Sequence, residues 1–175
     1  SKYLIEEAKL FLKEVENYHK NNPLRKGLPL SSINEKKEKK LIINTLVRKK
    51  LIKIKDGFVQ KTKFIPKLDS NQKSKINNYL NLINVKDYMP PTDNHLEIDL
   101  MNYLVEQQLI VKCSKNVYYF IDSYKKLKNE ILEINKINKK INIDLVRKNL
   151  GMSRKYCLAI LDRLEEEKVI NRTKD

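Results

Sequence analysis

The chain has 175 residues, 41% of them hydrophobic, enough to bury either one large core or several small ones. Its formal charge of +15 surrounds it with a positive field that favours polyanions, nucleic acid ahead of acidic membrane. It contains no run of about 18 apolar residues and no signal-peptide order, and Cys113 and Cys157 are too few and too far apart for a disulfide scaffold or a zinc site; a cytoplasmic protein without membrane contact or cofactor is expected.

Along the chain, Leu4, Ile5, Ala8, Leu12 and Val15 fall near helical spacing and predict a helix over Tyr3–His19. A chain that opens in a helix reads as a piece of something longer. Within Ile43–Ile52 an amphipathic helix ends and runs straight into a strand, Leu51–Lys55, which Asp56-Gly57 joins to Phe58-Val59; this dipeptide is the preferred centre of a type I′ hairpin turn. Pro66-Lys67-Leu68-Asp69-Ser70 is incompatible with helix and offers Asp69 or Ser70 as a cap for the next one. That helix carries the stripe Ile76, Tyr79, Leu80 and Ile83. Within Met101–Ile110 another amphipathic helix ends and leads to short strands at Leu109–Cys113 and Val117–Phe120 around a polar turn. Leu127, Ile131, Leu132 and Ile134 mark the next helix. Asn142 is placed to cap a short helix Ile143–Asn149, Gly151 to close it in the left-handed conformation, and Ser153 to cap the last one.

A weak internal repeat organises these elements. Ile43–Ile52, Met101–Ile110 and Leu161–Ile170 align so that Leu46, Leu104 and Leu164 fall at equivalent places, roughly 60 residues apart. In each copy an amphipathic helix ends and an apolar pair closing on a β-branched isoleucine follows, Leu51-Ile52, Leu109-Ile110 and Val169-Ile170. Helix, helix, turn, helix, hairpin is the winged-helix order, so the expected fold is mainly α (α+β): three tandem winged-helix modules, each three helices and a small hairpin, over residues 1–68, 69–122 and 123–175. The third stops before its hairpin is complete. The first module carries 18 basic and 7 acidic side chains, the second 5 and 7, the third 14 and 8. The middle module is therefore expected to be a spacer or protein-contact unit, and either end could neutralise phosphates.

A winged helix reads nucleic acid with its third helix or its wing. Ser153-Arg154-Lys155-Tyr156 puts two cations and an aromatic at a helix N-terminus, where backbone N–H groups and the helix dipole also favour a phosphate. Arg147 with Lys148, Lys139 with Lys140, and Arg172 with Lys174 could flank that spot, against the plainer reading of a solvated basic surface. Tyr156 could stack on an unpaired base or pack against the protein. Lys36 and Lys37, in the basic run of the first module, are secondary candidates whose interleaved glutamates suit a solvated helix face equally well. His19 and His95 lack neighbours at metal-ligand spacing, Glu165, Glu166 and Glu167 read as a solvated helix end, and no catalytic constellation is found, so the chain is expected not to be an enzyme.

Two segments resemble a known family. Tyr18-His19-Lys20-Asn21-Asn22-Pro23-Leu24-Arg25-Lys26-Gly27 resembles a motif in the C-terminal part of the bacterial selenocysteine-specific translation elongation factor, and Ser153-Arg154-Lys155-Tyr156, Leu161-Asp162-Arg163, Asn171-Arg172 and Asp175 resemble its last module. The resemblance implies a string of winged helices whose last member binds a hairpin in selenoprotein mRNA beside a UGA codon, with GTPase and tRNA-binding domains upstream and the ribosome as a partner; the three unequal modules and the lack of a long apolar zipper suit a monomeric arm. It implies RNA contacts from Arg154 and Lys155 on the recognition helix and from Arg172 at the base of the wing. Asn171 and Lys174 depart from the family, which usually has a second arginine and a glycine there. The rival expectation is a DNA-binding transcriptional regulator with tandem winged helices, its third helix in the major groove.

Overall fold

The structure, a computed structural model, describes residues 2–33 and 37–173. It is mainly α with small antiparallel sheets, the winged-helix class expected, and it divides into two compact units, 1–69 and 70–175.

In the first unit, α1 (Lys2–Asn21) buries Phe11, Val15 and His19, one residue per turn along a single face. The chain turns at Asn22-Pro23, passes through the short strand β1 (Leu28–Pro29) and a 3-10 turn (Leu30–Ser32), and enters α2 (Lys37–Arg48), which buries Ile42, Ile43 and Leu46. Strands β2 (Ile52–Lys55) and β3 (Phe58–Lys61) form the predicted hairpin. Asp56 and Gly57 both have positive φ, 52° and 81°, as a type I′ turn demands. Strand β1 adds to the free edge of β3, pairing Leu28 with Val59, so the sheet order is β1-β3-β2 and Val59 lies at the centre of the core.

His19 ties α1 to this sheet. The backbone N–H of Lys61 donates to His19 Nε2 at 3.1 Å, the ring stacks on Phe64 at 3.5 Å, and Nδ1 is buried without a hydrogen-bond partner. Burial, and secondarily the charge of Lys61, holds the His19 pKa below its ordinary 6.5. Since the folded state favours the neutral ring, the stabilising contribution is complete above pH 6.5 and is lost as pH falls through the lowered folded value. Acidification from pH 7.5 to about 5.5 is therefore expected to lower the thermal midpoint and to speed amide exchange at Lys61; His19→Asn should flatten both responses.

The second unit opens with α3 (Ser70–Ile83), which buries Ile76, Tyr79 and Ile83, followed by a loop over 84–97 and α4 (Ile98–Glu106), which buries Leu100, Met101 and Leu104. Strands β4 (Ile110–Lys112) and β5 (Tyr118–Phe120) form the second hairpin. Phe120 is then the N-cap of α5 (Ile121–Asn138), so strand passes directly into helix. Helix α6 (Ile143–Leu150) begins as predicted, Asn142 Oδ1 accepting from the backbone N–H of Leu145 at 3.0 Å, and ends at Gly151 with φ 67°. Helix α7 (Arg154–Glu166) buries Cys157, Ala159, Ile160, Leu161 and Leu164. One cluster joins Val117 and Tyr119 of the second hairpin with Leu127 and Ile131 of α5, Val146 of α6 and Ile160 and Leu164 of α7. The boundary expected near 122 lies inside this unit.

The internal repeat is a repeated geometry. After α2, α4 and α7 the chain takes a left-handed residue, Lys50, Gln108 and Lys168, with φ of 57°, 58° and 58°. The next N–H reaches back to the leucine that the three copies share: Leu51 to Leu46 (3.0 Å), Leu109 to Leu104 (3.0 Å) and Val169 to Leu164 (3.1 Å). Together with Lys50 to Val47, Gln108 to Val105 and Lys168 to Glu165 these form a Schellman closure three times over.

Three expectations are corrected. Among the described residues the third repeat carries three α-helices and the first two carry two each: after Pro29 the chain makes a 3-10 turn, and Pro90-Pro91 lies where the middle helix of the second would run. Ser153 occupies the N-cap of α7, but its hydroxyl makes no cap bond; its carbonyl takes the N–H groups of Tyr156 and Cys157 instead. The acidic end of α7 is not simply solvated. Glu167 accepts from Tyr124 (2.7 Å), Lys128 (2.7 Å) and Arg163 (3.0 Å), and Glu165 holds Arg172.

Candidate nucleic-acid interface

The candidate residues of the third repeat surround the turn from α6 into α7. Gly151 donates its N–H to the Arg147 carbonyl at 2.9 Å, closing α6, and Met152 is buried, so the chain re-enters helix two residues later with Arg154 and Lys155 exposed in its first turn. Arg147 and Lys148 are exposed in the last turn of α6, Arg147 at 3.9 Å from Asp144. Burial pushes the Cys157 thiol up to about 11 while the Arg147 charge partly offsets this, so Arg147 lies within electrostatic reach of the first turn of α7. Lys139 and Lys140 are exposed just before α6, Lys139 in the left-handed conformation that ends α5.

Lys155 and Tyr156 have partners that the sequence did not suggest. Lys155 Nζ donates to Thr92 Oγ1 at 2.6 Å and stands 5.5 Å from the Tyr156 ring centroid. Tyr156 is half-buried and its hydroxyl donates to the Pro90 carbonyl at 2.7 Å, so the ring leans on the 84–97 loop instead of standing free for a base. Burial, and then the carboxylates of Asp87 and Asp93, raise the Tyr156 pKa above its ordinary value. The residues missed by sequence reasoning are thus Pro90 and Thr92, in the repeat expected to be a spacer; contacts spanning 66 and 63 residues leave no periodic signal.

Arg172 is committed elsewhere. Its guanidinium pairs with Asp162 at 2.9 Å and Glu165 at 3.0 Å, its N–H donates to Glu165, and Thr173 continues with a 2.9 Å bond from its N–H to the Ile141 carbonyl. It therefore fastens the returning chain to α7. Lys37 is exposed at the start of α2, in the first unit, and Lys36 and Lys174 lie outside the described residues.

The family model described as elongation factor SelB, winged helix, aligns with residues 133–175, the segment containing α6, α7 and the cations around them. This segment is similar to the SelB winged helix. The SelB match thus takes in Arg147, Arg154, Lys155 and Arg172 together with the turn that joins their helices. Among solved structures, a bacterial selenocysteine-specific elongation factor, EF-Sec, aligns with 96% of this chain and 28% of its own, at 13% identity and a TM-score of 0.44. The chain spans little over a quarter of the length of that factor. No curated protein matches. Among the described residues there is no helix long and apolar enough to cross a membrane and no group of three or more side chains suited to a metal ion.

Proposed function

We propose that this chain is the mRNA-binding end of a selenocysteine-specific elongation factor. Residues 123–175 form the RNA-reading winged helix, and residues 1–68 and 69–122 are two further modules that act as an arm between the mRNA hairpin, the ribosome and the upstream GTPase and tRNA-binding domains. The observation that carries the reading is the cationic first turn of α7, Arg154 and Lys155, inside the segment similar to SelB. Exposed side chains there can meet phosphates, with the positive end of the α7 dipole adding to the attraction. Lys139, Lys140, Arg147 and Lys148 supply surrounding positive charge, whereas the two ion pairs of Arg172 give it a positioning role at the base of the wing.

The test is a binding titration at fixed salt against a selenoprotein mRNA hairpin, a scrambled hairpin and a duplex DNA. Selective binding of the first is expected, and Arg154→Ala should weaken it by about 1–3 kcal/mol. Equal binding of all three, or an unchanged affinity in the variant, would overturn the assignment; preference for duplex DNA would favour a transcriptional regulator.

A further inference from the structure

The cations around α7 differ in what holds them. Arg172 is neutralised by two carboxylates and Arg147 has Asp144 beside it. Lys155 is held by a neutral group, the Thr92 hydroxyl, at 2.6 Å. An ammonium has three N–H donors, so this bond leaves two, and the full charge, available to a ligand. The same contact limits the rotation of a side chain whose ordering is otherwise costly.

The loop that supplies Thr92 is itself anchored at both ends. At one end Tyr88 takes a positive φ of 58°, its hydroxyl donates to Glu130 of α5 at 2.7 Å, and its carbonyl accepts from Tyr119 of β5 at 2.9 Å. At the other, His95 lies between the Tyr79 hydroxyl at 3.0 Å and the Asn116 carbonyl at 3.1 Å, with its ring edge-on to Tyr118. Between these anchors Pro90 takes the Tyr156 hydroxyl and Thr92 takes Lys155. Two prolines in the span restrict the backbone further.

We infer that the loop 88–95 is part of the RNA-binding device, with Thr92 acting as a positioning residue that holds Lys155 ready for a phosphate. The inference rests on the RNA-binding reading of α7, and it makes the second repeat a working component of the interface instead of a spacer. Preorganisation of this kind raises affinity without a new contact to the ligand.

A double-mutant cycle in the 175-residue chain tests it, with the selenoprotein mRNA hairpin as probe. Thr92→Val removes the hydroxyl and keeps the shape; affinity should fall 3- to 10-fold, while Thr92→Ser, which keeps the hydroxyl, should bind within 2-fold of the parent. In the Lys155→Ala background Thr92→Val should have no further effect, an outcome that general damage to the fold would not produce. Binding that Lys155→Ala weakens but Thr92→Val leaves unchanged, or losses that simply add, would overturn the positioning role while leaving the RNA-binding reading intact. A parent chain that does not bind the hairpin would overturn both.

Discussion

Leu164→Ala is expected to lower the stability of the second unit by about 3–4 kcal/mol, the upper part of the range for a buried leucine truncation. The side chain is fully buried in the cluster built from the second hairpin, α5, α6 and α7. Its surroundings are helices and strands fixed on several sides, so collapse into the vacated space is limited. The equivalent Leu46 offers a contrast. It lines an open groove between α1 and α2 with Leu4, Ala8 and Leu12, and exposed Leu41 and Leu51 border the same groove. Side chains at such an edge can move inward, so Leu46→Ala should cost nearer 2 kcal/mol. Chemical denaturation followed by site-resolved NMR separates the two units and checks both values. Equal losses would mean that the groove is as rigid as the inner core. Because α7 carries Arg154 and Lys155, Leu164→Ala should also weaken RNA binding in step with the fraction of unfolded second unit.

The repeat was legible because it rests on local rules. Leu46, Leu104 and Leu164 each precede a helix stop by the same number of residues, and the closure that follows needs only backbone N–H groups and one left-handed residue. Asp56-Gly57, Asn142 and Gly151 are likewise read from their own conformational preferences, and each is found in the expected geometry. What escaped is what depends on distant partners. Tyr156 and Lys155 meet Pro90 and Thr92, and Glu167 meets Tyr124 and Lys128, across 39 to 66 residues. Arg172 has acidic partners only 7 and 10 residues upstream, yet pairing with them requires the chain to double back along α7 after the left-handed turn at Lys168. Ser153 failed as a side-chain cap although its type is favoured there, which shows how weakly a cap preference fixes a hydroxyl rotamer.

Gly27→Ala is expected to destabilise the first unit by about 3 kcal/mol, the top of the usual range for overpacking. A Cβ at this position would stand 2.3 Å from the Val59 carbonyl oxygen and 2.9 Å from its carbonyl carbon. Both are backbone atoms of β3, so no side chain can swing away to make room. Nor can the strand shift cheaply, since Val59 is fully buried and lies opposite Leu28 on one side and Ile54 on the other. Gly27 closes the motif that begins at Tyr18-His19, and the parts of that motif serve one end: His19 accepts from Lys61 of β3, Leu24 is buried, and Gly27 lets the chain pass against Val59. The motif is therefore an anchor for the central strand of the first sheet, not a chemical site. If that is its role, Gly27→Ala should speed amide exchange across β3 and leave RNA affinity at α7 nearly unchanged whenever the second unit is folded. A loss below 1 kcal/mol would mean that β3 is free to move away from the turn.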